Sequence, residues 1–241
     1  MTSVSVAVRV LASTAAFALL HSALASRTAK SLAARTFGAR RRNGLYRAFF
    51  NTQAIVGTGA LAIYLRQLPD RELYVVRGPL ATLMRAGQGA GLLLLLDGAR
   101  RVGVLRITGI SSFLQFTRGG DNVPAEPEAQ GPALDEDGRL KVSGPFLRSR
   151  HPLNLAPLPV FWLNPRMTRN FALFSAIATA YLWIGSLHEE RRLLAAYGES
   201  YRRYVNGRVP FFFGARTLFN DAKSLTGRRA LGLCDPGILE G

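Results

Sequence analysis

Two polar elements, far apart in the sequence, carry the residue types best suited to bind a charged small molecule. The first is Gly-Pro-Phe-Leu-Arg-Ser-Arg-His-Pro-Leu-Asn at 144–154, which includes Arg150 and His151, and the second is the acidic pair Glu189 and Glu190. The segment between them is apolar except for one short polar break, so it is predicted to form two helices folded back on each other. That hairpin returns the carboxylates to the level of Arg150 and His151. The pattern therefore predicts a polar pocket at one membrane face.

Composition favours a membrane protein over a soluble one. The 241 residues are 48% hydrophobic and carry a formal charge of +16, with long apolar runs alternating with short arginine-rich joints. Helical membrane proteins have this pattern because lipid cannot satisfy exposed backbone groups and because basic loops stay on the cytoplasmic side. A basic total also suits nucleic acid, but the apolar runs argue against that partner. The single cysteine, Cys234, excludes a disulfide within the chain, and no Cys/His cluster has metal-ligand spacing, so no metal site is predicted.

The apolar runs predict an all-α, polytopic integral membrane protein with about five transmembrane helices, a C-terminal helical hairpin and a cytoplasmic tail. Runs at 4–25, 45–65 and 73–96 supply three spans and the hairpin supplies two. Joints at the ends of alternate spans are rich in arginine, which places the C-terminus and the polar pocket in the cytoplasm and the N-terminus outside. The expected location is the inner or plasma membrane.

Two points stay open at this stage. The small residues Ala23-Leu24-Ala25 resemble a signal-peptide cleavage site, whereas the basic cluster that follows the run favours a retained helix. The first hairpin arm, 153–163, is short for a crossing and contains Pro157 and Pro159, so it is kinked, tilted or only partly inserted.

A glycine cluster at 87–91 has the spacing of a weak dinucleotide motif. It lies inside an apolar run with no preceding strand. The cluster is therefore interpreted as a face on which a second helix packs closely.

The C-terminal third resembles the membrane methyltransferases that include isoprenylcysteine carboxyl methyltransferases, phospholipid methyltransferases and the NnrU/methanethiol S-methyltransferase branch. The similarity rests on Arg-His-Pro at 150–152, Glu-Glu-Arg-Arg-Leu-Leu at 189–194 and Tyr-Gly-Glu-Ser-Tyr-Arg-Arg-Tyr at 197–204. The segment 161–185 is most similar to the NnrU/methanethiol branch. In the first third, that branch is also matched by a thinner set of residues, His21, Ser22, Lys30 and Tyr46.

The resemblance implies an enzyme that binds S-adenosylmethionine on the cytoplasmic side and methylates a small thiol or lipid-like acceptor from the membrane. Arg150 and Glu190 are the expected catalytic residues, with Arg150 anchoring an anionic group or shaping the substrate entrance. His151 is expected to hydrogen-bond the cofactor, and the two glutamates are expected to bind its amine or its ribose hydroxyls. The full expected cofactor-binding set is Gly144, Pro145, Arg148, His151, Pro152, Asn154, Glu189, Glu190 and Tyr201. His21 is a candidate for facing the acceptor, or alternatively a helix-packing histidine.

The resemblance also divides the chain. It implies N-terminal transmembrane helices at 1–100, a cytoplasmic loop at 101–143, a cofactor-binding hairpin and helix at 144–212, and a tail at 213–241. Oligomeric state has no sequence signal.

Two departures from the family pattern keep other functions open. Asn154 and Ala156 stand where the family usually has Tyr and Gly, and a Gly there would allow close backbone approach to the cofactor. The alternative is a non-catalytic NnrU-type membrane accessory protein that has lost efficient cofactor use. A third possibility is an arginine-rich scaffold that recognises anionic lipid.

Overall fold

The computed structural model of the protein describes residues 3–119, 123–125, 131–132 and 134–212. The expected tail at 213–241, with Cys234, lies outside the described residues. Within them the chain is mainly helical, with one 3-10 helix at Gly144–Leu147 and one small antiparallel sheet. The helices are α1 (Ser3–Ala25), α2 (Arg27–Phe37), α3 (Ala39–Gln67), α4 (Gly78–Val102), α5 (Val104–Thr108), α6 (Ile110–Thr117), α7 (Pro152–Leu155), α8 (Pro157–Trp162) and α9 (Arg169–Asn206); the strands are β1 (Glu72–Val75) and β2 (Arg166–Thr168).

Four of these helices, α1, α3, α4 and α9, are long and apolar enough to cross a membrane. A hydrocarbon core of about 30 Å requires about 20 helical residues, and these helices have 23, 29, 25 and 38. Large apolar side chains such as Leu20, Ile55 and Leu93 remain more than half exposed on their surfaces, as expected for helices that face lipid. The prediction of an all-α, polytopic membrane protein is confirmed.

One end of the helical bundle, which we call the sheet end, is closed by β1 and β2. The two strands pair antiparallel, and the Arg169 amide donates to the Arg71 carbonyl at 2.8 Å. Leu68, at the end of α3, packs there against Val6 and Val10 at the start of α1. The start of α1, the joint between α3 and α4, and the start of α9 therefore share one end.

The opposite end, which we call the site end, gathers the arginine-rich joints. Tyr46 near the start of α3 donates to the Leu24 carbonyl at the end of α1 at 2.7 Å. Arg101, in the last turn of α4, donates to Ser143 Oγ at 3.1 Å, just before the polar element that begins at Gly144. Because α9 starts at the sheet end, its C-terminal half also reaches the site end. The arginine-rich joints thus lie at the site end and the arginine-poor joints at the sheet end. This agrees with the alternation of basic joints along the sequence.

The fifth passage between the two ends is made by the short helices α7 and α8. They run antiparallel to α4: Leu153 lies against Gly98, Pro159 against Gly91 and Leu163 against Gly87. The glycine cluster is therefore a packing face for these helices. A β-carbon on Gly91 would stand 2.7 Å from the Ala156 carbonyl oxygen, which shows how closely the backbones approach.

This fifth passage differs from the other four because proline interrupts it. Each short helix begins with a proline, Pro152 or Pro157, and proline at a first turn is favourable while proline inside a helix removes a hydrogen bond. Helices of four and six residues result. The first hairpin arm is therefore divided into two short helices; whether it is tilted or only partly inserted stays a prediction.

Helix α9 changes direction at Gly198, where the backbone has φ 52° and ψ −125°. Positive φ favours glycine because it has no β-carbon. Beyond the kink the helix resumes and buries Tyr201 and Tyr204 in a core with Leu193 and Val209. The helical segment beyond Gly198 therefore forms a compact cap over the site end.

Candidate active site

The backbone that carries Arg150 and His151 is fixed by the C-terminal part of the described chain. Ser149 is fully buried; its hydroxyl donates to the Phe211 carbonyl at 3.0 Å, and its own carbonyl accepts from the Tyr204 hydroxyl at 3.3 Å. Helix α7 then begins immediately after His151. These contacts set the direction in which the side chains of Arg150 and His151 leave the backbone.

Arg150 and Glu190 form a half-enclosed ion pair. Arg150 Nε lies 2.5 Å from Glu190 Oε1, and the two side chains are 14% and 21% exposed. The same guanidinium donates to the Val209 carbonyl at 2.6 Å, while the hydroxyl of buried Tyr201 lies 3.4 Å from Glu190 Oε1. Glu190 is therefore held between a cation and a hydroxyl donor, and charge-assisted hydrogen bonds of this kind are the stronger ones.

His151 lies between the two carboxylates. Its Nδ1 is 3.5 Å from Glu189 Oε2 and its Nε2 is 3.5 Å from Glu190 Oε1, with the side chain only 1% exposed. Within the described residues Nε2 is enclosed and has no hydrogen-bond partner. Its 3.5 Å separation from Glu190 Oε1 lies beyond the usual hydrogen-bond range. The ring packs against Phe211, with centroids 4.7 Å apart. An enclosed nitrogen without a partner is a position where a ligand group would be stabilising.

Asn154 links α7 to the acidic pair. Its amide nitrogen donates to Ser186 Oγ at 2.8 Å and contacts Glu189 Oε2 at 3.3 Å. Glu189 thus faces Asn154 and His151. If Glu189 only lay on a solvent-exposed helix face, it would be expected to pair with Arg192, three residues further on. Among the described residues no ion pair joins the two. The second departure from the family pattern, Ala156, is buried, and its carbonyl oxygen lies against Gly91 of α4.

The remaining predicted cofactor residues lie outside this cluster. Gly144 lies against Asp97 and Arg101 of α4, Pro145 and Pro152 are buried, and Arg148 is exposed. The structure therefore brings together six of the predicted residues, and it does not bring Gly144, Pro145, Arg148 and Pro152 to the same contacts. The six are Arg150, His151, Asn154, Glu189, Glu190 and Tyr201.

A cavity of about 690 Å³ opens beside the cluster, between α1, α2, α3 and α9. This size is typical of small-molecule sites. Asn154 and Glu189 form one side of it, and the residues of the thin N-terminal similarity, His21, Ser22, Lys30 and Tyr46, form the other. Residues from the first third of the sequence therefore border the same cavity as the C-terminal cluster.

Sequence reasoning missed several lining residues on α9 and α3. Tyr181, His188 and Arg192 line the cavity together with Phe50 of α3. Positions 181, 188 and 192 are separated by seven and four, so they lie on one helical face. That periodicity was available in the sequence, but only the packing of α9 against α1 shows that this face borders a cavity.

His21 is surrounded by aromatic rings at the cavity wall. Its ring centroid is 4.5 Å from Phe50, 5.9 Å from Phe17 and 6.3 Å from Tyr181. Tyr181 and Ser22 share a hydrogen bond of 3.0 Å between their hydroxyl oxygens. This part of the wall is apolar with a few placed polar groups, the usual character of a site for a small organic molecule.

The fold and the site together define a polytopic α-helical membrane protein with a polar cluster and an adjoining cavity at its basic end. Comparison with known proteins confirms the resemblance to membrane methyltransferases. The chain is 35% identical over 77 residues to the methanethiol S-methyltransferase of Pseudomonas deceptionensis. It is also 44% identical over 78 residues to methanethiol S-methyltransferase 2 of Bradyrhizobium diazoefficiens and 46% identical over 55 residues to the Mycobacterium tuberculosis methanethiol S-methyltransferase.

These similarities are partial. The aligned stretches cover 32%, 31% and 23% of this chain and 29%, 30% and 22% of the three relatives. No protein-family model matches the chain, and no solved structure matches it.

Proposed function

We propose that this protein is an integral membrane methyltransferase that transfers a methyl group to a small thiol. The relatives carry the name of that activity, and the geometry supports it through one observation: a single cavity borders both the His151-Glu189-Glu190 cluster, through Glu189 and Asn154, and the aromatic wall around His21. A methyl transfer needs two ligands in contact, a donor and an acceptor. Positioning two reactants in one cavity is itself a large source of rate acceleration.

The proposed donor is S-adenosylmethionine, and the cluster fits its functional groups. The donor carries an amine, a ribose diol and a carboxylate. Glu189 and Glu190 remain 26% and 21% exposed, so they are available to the amine or the ribose hydroxyls, while His151 offers its unpartnered Nε2. Arg150 already donates to Glu190 and Val209, so its proposed role is to orient Glu190. The bound donor supplies an activated methyl group on a sulfonium sulfur, and no covalent enzyme intermediate is required.

The proposed orientation places the site end in the cytoplasm. The arginine-rich joints gather at that end, and basic loops are retained on the cytoplasmic side. Glu189 lies 20 residues after Arg169, the start of α9, which corresponds to about 30 Å of helix at 1.5 Å per residue. The acidic pair therefore lies one hydrocarbon thickness from the sheet end, at the level where a water-soluble donor meets a membrane-dissolved acceptor.

The non-catalytic accessory function is not favoured, because the similar proteins are named as enzymes. Asn154, the departure that kept this alternative open, has a defined place: it contacts Glu189 and lines the cavity.

Calorimetric titration of the detergent-purified protein with S-adenosylmethionine tests the donor proposal, with S-adenosylhomocysteine as competitor. We expect saturable, competed binding that is lost in the double variant Glu189→Gln, Glu190→Gln. The matched control is Glu72→Gln, which removes a carboxylate from the exposed sheet end and should bind normally. Formation of dimethyl sulfide from methanethiol then tests the acceptor. A folded protein that binds no donor would refute the proposal.

A further inference from the structure

The wall around His21 contains two polar atoms whose hydrogen-bonding capacity the described residues leave unused. His21 Nδ1 and Gln53 Oε1 are both enclosed and both lack a hydrogen-bond partner there, and the Gln53 side chain lies beside the imidazole. An unpaired buried polar group costs about 1–3 kcal/mol. The two atoms are not bonded to each other in the structure; a side-chain rotation that brings Nδ1–H to Gln53 Oε1 would satisfy both at once.

That pairing fixes which nitrogen of His21 is available to a ligand. Nδ1 is the enclosed nitrogen, while the imidazole itself lines the cavity. With the proton on Nδ1, the opposite nitrogen, Nε2, is left as an unprotonated acceptor. The hydrogen bond made by one ring nitrogen of a histidine sets the state of the other.

The chemistry of thiols makes such an acceptor useful. The thiolate is the nucleophile, and a thiol with a pKa of about 8.5 or higher is mostly protonated at neutral pH. The ring contacts of His21 are with Phe17, Phe50 and Tyr181, and these rings do not solvate a thiolate in place of water. A base at the wall therefore allows the thiol to enter neutral and to lose its proton only as it reacts.

We propose that His21 is the catalytic base for the acceptor thiol and that Gln53 is its positioning residue. The proposal rests on the proposed methyltransferase function. In the reaction, the thiol proton passes to His21 Nε2, the thiol sulfur forms a bond to the methyl carbon of a sulfonium donor, and the old carbon–sulfur bond breaks with its electron pair remaining on the donor sulfur. The neutral thioether leaves, and the imidazolium returns its proton to water.

A comparison of two acceptors tests the role of His21. Methanethiol is protonated at neutral pH, whereas thiophenol, an aromatic thiol of much lower pKa, is already largely ionised. We expect His21→Gln to lower the rate with methanethiol by about 100-fold or more, the usual contribution of general base catalysis, and to leave the rate with thiophenol little changed. A structural role for His21 would instead lower both rates equally and would overturn the proposal. Thr14→Val, which alters a buried side chain on the same helix, is the matched control and should change neither rate.

Nitrogen-15 NMR of histidine tests the role of Gln53 without any bound ligand. The chain has only three histidines, so the signals can be assigned with single histidine-to-glutamine variants. We expect His21 to be the neutral tautomer protonated on Nδ1, and Gln53→Leu to convert it to a mixture or to the Nε2–H form. A wild-type His21 protonated on Nε2 would overturn the assignment of the base.

These outcomes separate the two proposals. A wild-type protein that methylates neither thiol, although it binds S-adenosylmethionine, contradicts the proposed function. A wild-type protein that methylates both, with equal losses in His21→Gln, contradicts only the role of His21.

Discussion

The two ends of the bundle each hold an arginine–glutamate ion pair, and the two pairs differ in their surroundings. At the sheet end, Arg166 and Glu72 are 2.8 Å apart with side chains 74% and 45% exposed. At the site end, Arg150 and Glu190 are 2.5 Å apart with side chains 14% and 21% exposed. The first pair lies on a two-stranded sheet open to solvent, whereas the second is covered by the tyrosine core and the segment at 209–211. The same two residue types therefore support a turn at one end and a candidate binding site at the other.

The difference in enclosure shows where electrostatic interactions are strong. Water and salt screen an exposed pair, so it contributes little to stability. An enclosed pair has lost water, so each charge depends on its partner. Enclosing these charges at the site end costs stability, and this cost is offset only while each charge keeps its partner.

Removing Arg150 should have the largest effect. Arg150→Ala leaves Glu190 partly buried without its cation, and breaking such pairs typically costs about 3–5 kcal/mol. We expect a loss of that order in the free energy of unfolding, measured in detergent, together with loss of binding of S-adenosylmethionine. A variant as stable as the wild type would show that Glu190 is solvated and that the two ends do not differ.

Closing the gap between α4 and α7 should have the next largest effect. In Gly91→Ala the new β-carbon stands 2.7 Å from the Ala156 carbonyl oxygen, and overpacking of this kind costs about 1–3 kcal/mol. Gly89→Ala is the matched control, since a β-carbon there meets nothing within 4 Å; it should be neutral or slightly stabilising. Equal thermal stability of both variants would contradict the close packing of the fifth passage.

Removing the hydroxyl of Tyr204 should have a smaller effect. Tyr204→Phe deprives the buried carbonyls of Phe146 and Ser149 of a donor, and we expect a loss of about 1 kcal/mol in the free energy of unfolding. Tyr74→Phe makes the same change on the exposed strand of the sheet end and should leave stability unchanged. If the two variants behave alike, the hydrogen bonds from Tyr204 to the carbonyls of Phe146 and Ser149 do not support the site.

Breaking the exposed pair should have the smallest effect. Arg166→Gln is expected to change the free energy of unfolding by less than about 1 kcal/mol, and added salt should abolish even that difference. Donor binding should be unaffected. A larger, salt-resistant loss would show that the sheet end is as enclosed as the site end.

Much of the fold could be predicted from the sequence because lipid imposes simple local requirements. A span needs a long apolar run, and the runs around Leu20, Ile55 and Leu93 met that condition; basic joints marked the ends. The meeting of Arg150 with Glu190 also followed from the hairpin. The domain boundaries at 100, 143 and 212 stay predictions.

Other features depended on contacts that no local pattern encodes. The sequence did not predict β1 and β2, because strands of four and three residues exist only through their pairing with each other. It grouped Gly144 and Arg148 with Arg150, whereas the turn at Gly144–Leu147 directs Gly144 against α4 and leaves Arg148 exposed. Neighbours in sequence diverge wherever the backbone turns.

By itself the sequence determined the membrane class, the spans and the paired Arg-His and Glu-Glu elements, because apolar length and charge position are properties of the chain alone. Only the tertiary structure decided that His21 and Tyr181 line the same cavity as Asn154 and Glu189. A cavity forms where packed helices diverge, and that depends on the packing of α1, α3 and α9 together.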